Sequence, residues 1–136
     1  SVLAHLAPED LPSVRCVISW AEGLPDAIAA RWCGRVVLRD LLIATEYWLS
    51  FFAPLEQGRA LSIVSGVHVV ILAPDGSEPV RGSDMGELCL AGATVCPGYA
   101  DPANDEGRFL DFDGRRYFRT RDLARWLEPG RRLEYC

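Results

Sequence analysis

A chain of 136 residues, 49% hydrophobic and 24% charged, has the composition of one modest globular domain with a core of its own. A formal charge of −5 without a basic stripe argues against nucleic acid as a partner, and no apolar run reaches the ~18–20 residues of a membrane helix. No basic-then-apolar leader follows Ser1, so no signal peptide is expected, and the five cysteines lack a close CxxC pair and read as free thiols of a reducing, cytoplasmic compartment.

In chain order, Pro8 to Pro12 reads as a turn or helix entry. Val14 to Trp20 is a short β-branched run and predicts a buried strand. A loop, Glu22-Gly23-Leu24-Pro25, then feeds a helix through Ala27, Ile28 and Trp32 that Gly34 ends. Arg35 to Leu42 predicts the next strand, completing a βαβ unit of a parallel sheet. The texture changes after Pro54. Gly66 to Leu72, the turn Pro74-Asp75-Gly76, Glu78 to Val80, Gly86 to Ala91 and Tyr117 to Thr120 predict short strands. Arg125 to Leu127 and Arg132 to Tyr135 flank Glu128-Pro129-Gly130 as a hairpin. The expected fold class is α/β followed by mostly β: the end of a parallel α/β sheet (residues 1–58), then a small distorted antiparallel β-barrel (residues 59–136). Cys16 and Cys89 lie in apolar runs and are expected in the core.

All fourteen basic residues are arginine, and lysine is absent. Arg115, Arg116, Arg119, Arg121 and Arg125 alternate with Asp111, Asp113, Asp122 and Glu128, the pattern of a solvated mixed-charge surface. Thr45-Glu46 follows a predicted parallel strand, and open α/β sheets bind ligands beyond the carboxyl ends of such strands. The same pair also suits a helix cap. Asp122 reads as a turn residue or as a partner of Arg119, Arg121 or Arg125.

Four segments carry a resemblance. LPSVRCVISWAEGLP (Leu11 to Pro25) resembles the adenylate-forming superfamily's "LPSLR…SGGE-x-LP", and DLLIATE (Asp40 to Glu46) its "N-x-YGPTE". GELCLAGATVCPGY (Gly86 to Tyr99) resembles "GELxIxGxGVxxGY". FRTRDL (Phe118 to Leu123) resembles "YRTGDL" and runs on into ARWLEPGRRLEY, similar to the continuation in adenylation domains of nonribosomal peptide synthetases. The resemblance covers essentially the whole chain.

It implies an internal piece of an amino-acid-activating domain. Such a domain joins a small carboxylic or amino acid to ATP as an acyl-adenylate and loads it onto the phosphopantetheine thiol of a carrier protein, with carrier and condensation domains as partners. It implies that Glu46 binds Mg²⁺, that Thr45 hydrogen-bonds the α-phosphate, and that Asp122 holds the ribose. The backbone of Trp20, Ala21 and Glu22 would meet adenine, with Leu42 at the position of the family's stacking tyrosine. Ile18, Trp20, Leu41, Leu49 and Ser50 would line the acyl pocket. The glycines and Tyr99 of the third segment are read as structural. The chain departs from the family at Leu42, at Ile43-Ala44 in place of Gly-Pro, and at Arg121 in place of glycine. The family's catalytic lysines are missing, so this stretch alone is expected to be inactive. An acyl- or aryl-CoA ligase and a degenerate scaffold or interaction domain stand as alternatives.

Overall fold

The computed structural model describes residues 2–76 and 78–136. The expected strand–helix–strand unit is present as β1 (Cys16–Ser19), α1 (Asp26–Trp32) and β2 (Val37–Ala44), with β1 parallel to β2. Pro25 takes the N-cap of α1, where a missing N–H costs no intrahelical bond. Ala29 and Trp32 of α1 cluster with Leu24 and with Leu38 of β2, and Val17 of β1 packs against them.

β1 is not the buried strand its composition suggests. Its residues alternate, and Cys16 and Ile18 are exposed, Ile18 by 50%. Only the Val17 side meets the α1 cluster, and β1 is the end strand of the sheet. Cys16 is therefore a surface thiol, whereas Cys89 is buried as expected. Burial pushes the Cys89 thiol up to about 12, which keeps it protonated and unreactive.

Beyond Glu46 the chain turns back at once into β3 (Tyr47–Pro54), an antiparallel partner of β2 that the sequence reading passes over. The remaining strands are β4 (Leu61–Ile63), β5 (His68–Leu72), β6 (Gly86–Ala91), β7 (Phe109–Phe112), β8 (Arg115–Glu128) and β9 (Arg132–Tyr135). The expected hairpin around Pro129-Gly130 is β8–β9, and the strand expected at Tyr117 merges into the long β8.

The strand order is β1-β2-β3-β4-β9-β8-β6-β5, with β7 also on β8. The chain is mostly β, as expected, but forms one open, mixed sheet with β1 and β5 at its ends, rather than a parallel α/β sheet followed by a closed barrel. Among the described strand pairs only β1–β2 is parallel. Within residues 59–136 the order is β4-β9-β8-β6-β5, and the barrel is not closed because β5 pairs with β6 on one side while β4 turns its other edge to β3. The hydrogen-bonded sheet also runs on past residue 58, through β3–β4 and β4–β9. The main core gathers Tyr47, Phe51, Leu61, Ile71, Leu88, Leu90, Phe118 and Leu133. No described helix is long and apolar enough to cross a membrane.

Candidate nucleotide site

Glu46 occupies the turn between β2 and β3, just beyond the carboxyl end of β2. Its neighbours in sequence are fixed by a second segment. The Trp48 N–H donates to Thr94 O at 2.9 Å, and the Cys96 N–H donates to Glu46 O at 2.8 Å. This lays residues 94–96 of the loop after β6 along the start of β3, with Tyr47 bridged to Val95. The Glu46 side chain is 19% exposed; its Oε1 accepts from the Tyr99 hydroxyl at 2.6 Å and lies 3.7 Å from the Arg108 guanidinium. The hydrogen bond to Glu46 is the first cause that raises the Tyr99 phenol above its ordinary value. Thr45 is exposed in the same turn.

Asp122 sits at a bulge. Glu87 of β6 pairs with Leu123 of β8 and Cys89 with Arg119, so residues 120–122 of β8 stand opposite Leu88 alone. An extra loop of chain in one strand bends it and re-aims a side chain. Two side chains fasten the bulge. Thr120 Oγ1 donates to Leu88 O at 2.8 Å and accepts the Asp122 N–H at 3.0 Å. Glu87 accepts the Arg121 N–H at 3.2 Å and pairs with the Arg119 guanidinium.

Arg121 holds φ +66 in this bulge, and Ala21 holds φ +76 in the loop after β1. Both stand where the resembled motifs have glycine, and both keep a left-handed backbone that costs a residue with a Cβ roughly 1–2 kcal/mol. Arg121→Gly is accordingly expected to raise stability by about 0.5–1 kcal/mol, after the extra freedom of an unfolded glycine is deducted. Urea unfolding checks this, with Arg121→Ala giving no such gain.

The buried Tyr47 lies within electrostatic reach of both carboxylates. Its phenol is raised first by burial, then by the charge of Asp122, and more weakly by Tyr135 and Glu46. Tyr135 lies within electrostatic reach of Asp122 in turn: burial, then the charge of that carboxylate, raises the Tyr135 phenol. Tyr135 also lines an open cavity of about 320 Å³ together with Ala21, Glu22, Leu41 and Leu42. Three of the residues expected around the nucleotide base thus share one cavity, and Tyr135 links it to Asp122.

The five expected acyl-pocket residues do not converge. Ile18 and Trp20 line a different cavity of about 380 Å³ beside Leu24 and Pro25, while Leu41 lines the first. Leu49 and Ser50 lie in the irregular stretch of β3, where residues 48–50 stand opposite Ile43. Leu49 there has φ +47 and is 45% exposed. Ser50 is fully buried, with Oγ 2.9 Å from Thr94 Oγ1.

Tyr99, Arg108, Glu87 and Tyr135 are the side chains at this site that sequence reasoning left without a role. Glu87 and Tyr99 lie within the GELCLAGATVCPGY motif and Tyr135 within ARWLEPGRRLEY, whereas no motif points to Arg108.

No family model matches the chain. It is 29% identical over 141 residues to the nonribosomal peptide synthetase sidE of Aspergillus fumigatus, covering 96% of this chain and 7% of that protein. It is 28% identical to bacitracin synthase 3 of Bacillus licheniformis over 96% of this chain, but only 2% of that protein. The chain therefore spans a small part of the curated relatives it matches. Among solved structures it resembles PA1221, an NRPS protein containing adenylation and PCP domains, at a TM-score of 0.78 and 25% identity, over 97% of this chain and 30% of that one.

Proposed function

We propose that this chain, which belongs with the adenylation regions of nonribosomal peptide synthetases, is the stretch of such a domain that holds ATP while a carboxylic acid attacks its α-phosphate. The observation that carries the reading is the shared surroundings of Glu46 and Asp122: Tyr47, next to Glu46 in the chain, packs its ring on Phe118 of β8, the strand that carries Asp122, with centroids 6.1 Å apart, and both charges raise its phenol. Residues 1–58 supply Glu46, Thr45 and most of the cavity wall, and residues 59–136 supply Asp122 and Tyr135. The cavity takes the base against Ala21, Glu22 and Leu42, and Leu42 gives it apolar contact without a stacking ring. Asp122 accepts hydrogen bonds from the ribose hydroxyls. Thr45, exposed in the β2–β3 turn, donates its hydroxyl to the α-phosphate.

Among the described residues no group of three or more His, Cys, Asp or Glu gathers into a metal cage. A protein commonly offers a phosphate-associated Mg²⁺ only one or two carboxylates, and the partly exposed Glu46 would hold the ion here. The metal, when bound, offsets the negative charge that grows on the departing pyrophosphate. The acyl group then passes from its adenylate to a phosphopantetheine thiol on a carrier domain, a thioester forming as the acyl–phosphate bond breaks and AMP leaves, with a condensation domain as a further partner. The acid is a small carboxylic or amino acid. Lysines for phosphate binding and charge stabilisation come from outside this stretch, so the stretch alone is inactive.

In the full-length protein, Glu46→Gln and Asp122→Ala are each expected to lower ATP–pyrophosphate exchange by roughly a hundredfold. Wild-type exchange in both variants would remove the assignment. A second reading, a non-catalytic scaffold, is favoured by Leu42 at the base position. Calorimetry that detects no ATP binding to the full-length protein would select it.

A further inference from the structure

We propose that Tyr99 is the positioning residue of Glu46: its hydroxyl holds one carboxylate oxygen so that the other is presented to Mg²⁺. This rests on the reading of Glu46 as the metal-binding carboxylate. The tyrosine is held at both ends. Its hydroxyl donates to Glu46 Oε1 at 2.6 Å, and Arg108 approaches that same oxygen at 3.7 Å. Its backbone N–H donates to Asp105 Oδ1 at 2.8 Å, while Asp105 Oδ2 accepts from Arg116 at 2.7 Å. Gly98 leaves room for that arrangement, because a Cβ there would lie 2.7 Å from Asp105 Oδ2. The Tyr99 ring packs edge-on against Phe109 with centroids 6.1 Å apart. The loop that carries it is itself hydrogen-bonded to the residues around Glu46.

Hydrogen bonds to a carboxylate from a fixed donor are charge-assisted and set its rotation. With a tyrosine and an arginine both directed at Oε1, the carboxylate is turned as a one-oxygen ligand. Loss of such an outer partner typically weakens a metal site about 10–100-fold.

The bland alternative is that the bond only staples the loop to the sheet. The two are separated by Tyr99→Phe in the full-length protein, with the ring and its packing kept. Binding of a non-hydrolysable ATP analogue, titrated with Mg²⁺ and followed by calorimetry, is expected to need about tenfold more Mg²⁺. Metal-free analogue binding and the melting temperature should stay close to wild type. In exchange assays the Mg²⁺ dependence shifts in parallel. A wild-type Mg²⁺ titration, whatever happens to the melting temperature, overturns the proposal. Glu46→Gln in the same assays separates the two levels. If Glu46→Gln abolishes the Mg²⁺ dependence and Tyr99→Phe leaves it intact, only the positioning role falls. If Glu46→Gln leaves it intact as well, the metal reading falls with it.

Discussion

Phe118→Ala is expected to cost about 3–5 kcal/mol, the range for deleting a fully buried phenyl ring. Phe118 is 2% exposed and stands where the core meets the candidate site. Its ring packs against Phe109 with centroids 5.4 Å apart and against Tyr47 at 6.1 Å, and the Arg108 guanidinium lies over it at 5.2 Å. Tyr47 lies near both carboxylates and Arg108 near one of them, so the cavity left by alanine opens directly beneath the site. Domains of this size hold only about 5–15 kcal/mol in total, so the loss is a large fraction of the whole. The urea midpoint of the protein should fall accordingly, and Phe118→Leu, which keeps most of the volume, should lose no more than about 1.5 kcal/mol. A loss under about 1 kcal/mol for the alanine variant would mean that the ring is not the keystone its contacts describe.

The local elements that were legible in the sequence are those with strong punctuation. Pro25 and Gly34 bracket α1, Pro74-Asp75-Gly76 follows β5, and Pro129-Gly130 joins β8 to β9. β3 was not legible because the turn Thr45-Glu46 carries none of the residues that mark a hairpin turn, and an apolar run next to an apolar run hides the reversal. The barrel expectation failed for a related reason. Short strands with regular turns specify antiparallel neighbours but not whether the outermost strands meet, and here β5 is an end of the sheet while β4 pairs with β3 instead of β5. β1 is covered on one face only, which a short apolar run by itself does not distinguish from burial on both.

The candidate site divides in the same way. Glu46 and Asp122 were legible because each lies in a segment with a recognisable pattern, and the irregularities that hold them are local: a turn in one case, a bulge in the other. What lies across the sheet was not. Tyr99 is 53 residues from Glu46 and meets it only because residues 94–96 pair with the start of β3. Glu87 fastens the Arg121 backbone across 34 residues. Leu49 and Ser50 go separate ways because the irregularity in β3 upsets the side-chain alternation that a regular strand would impose, and no pattern in the sequence announces it.

Gly86→Ala carries the second large effect, about 3 kcal/mol or more, at the upper end of the range for overfilling a packed interior. Gly86 opens β6 and is buried. A Cβ there would lie 2.1 Å from the Leu72 carbonyl oxygen, 2.7 Å from Val80 Cγ1 and 2.9 Å from Ile71 Cγ2. The first of these is backbone, held in the β5–β6 ladder where Leu72 pairs with Glu87. It cannot swing aside as a side chain would, so β5 must part from β6 or β6 must slide. Either movement displaces Glu87, which secures Arg119 and the Arg121 N–H and so the bulge that carries Asp122. Gly98→Ala provides the contrast, since the group it meets is the side chain of Asp105, which can rotate at the cost of its hydrogen bonds. The expected order in thermal unfolding is wild type, then Gly98→Ala, then Gly86→Ala well below both. Equal melting temperatures for Gly86→Ala and wild type would show that β5 and β6 are not held as closely as the pairing requires.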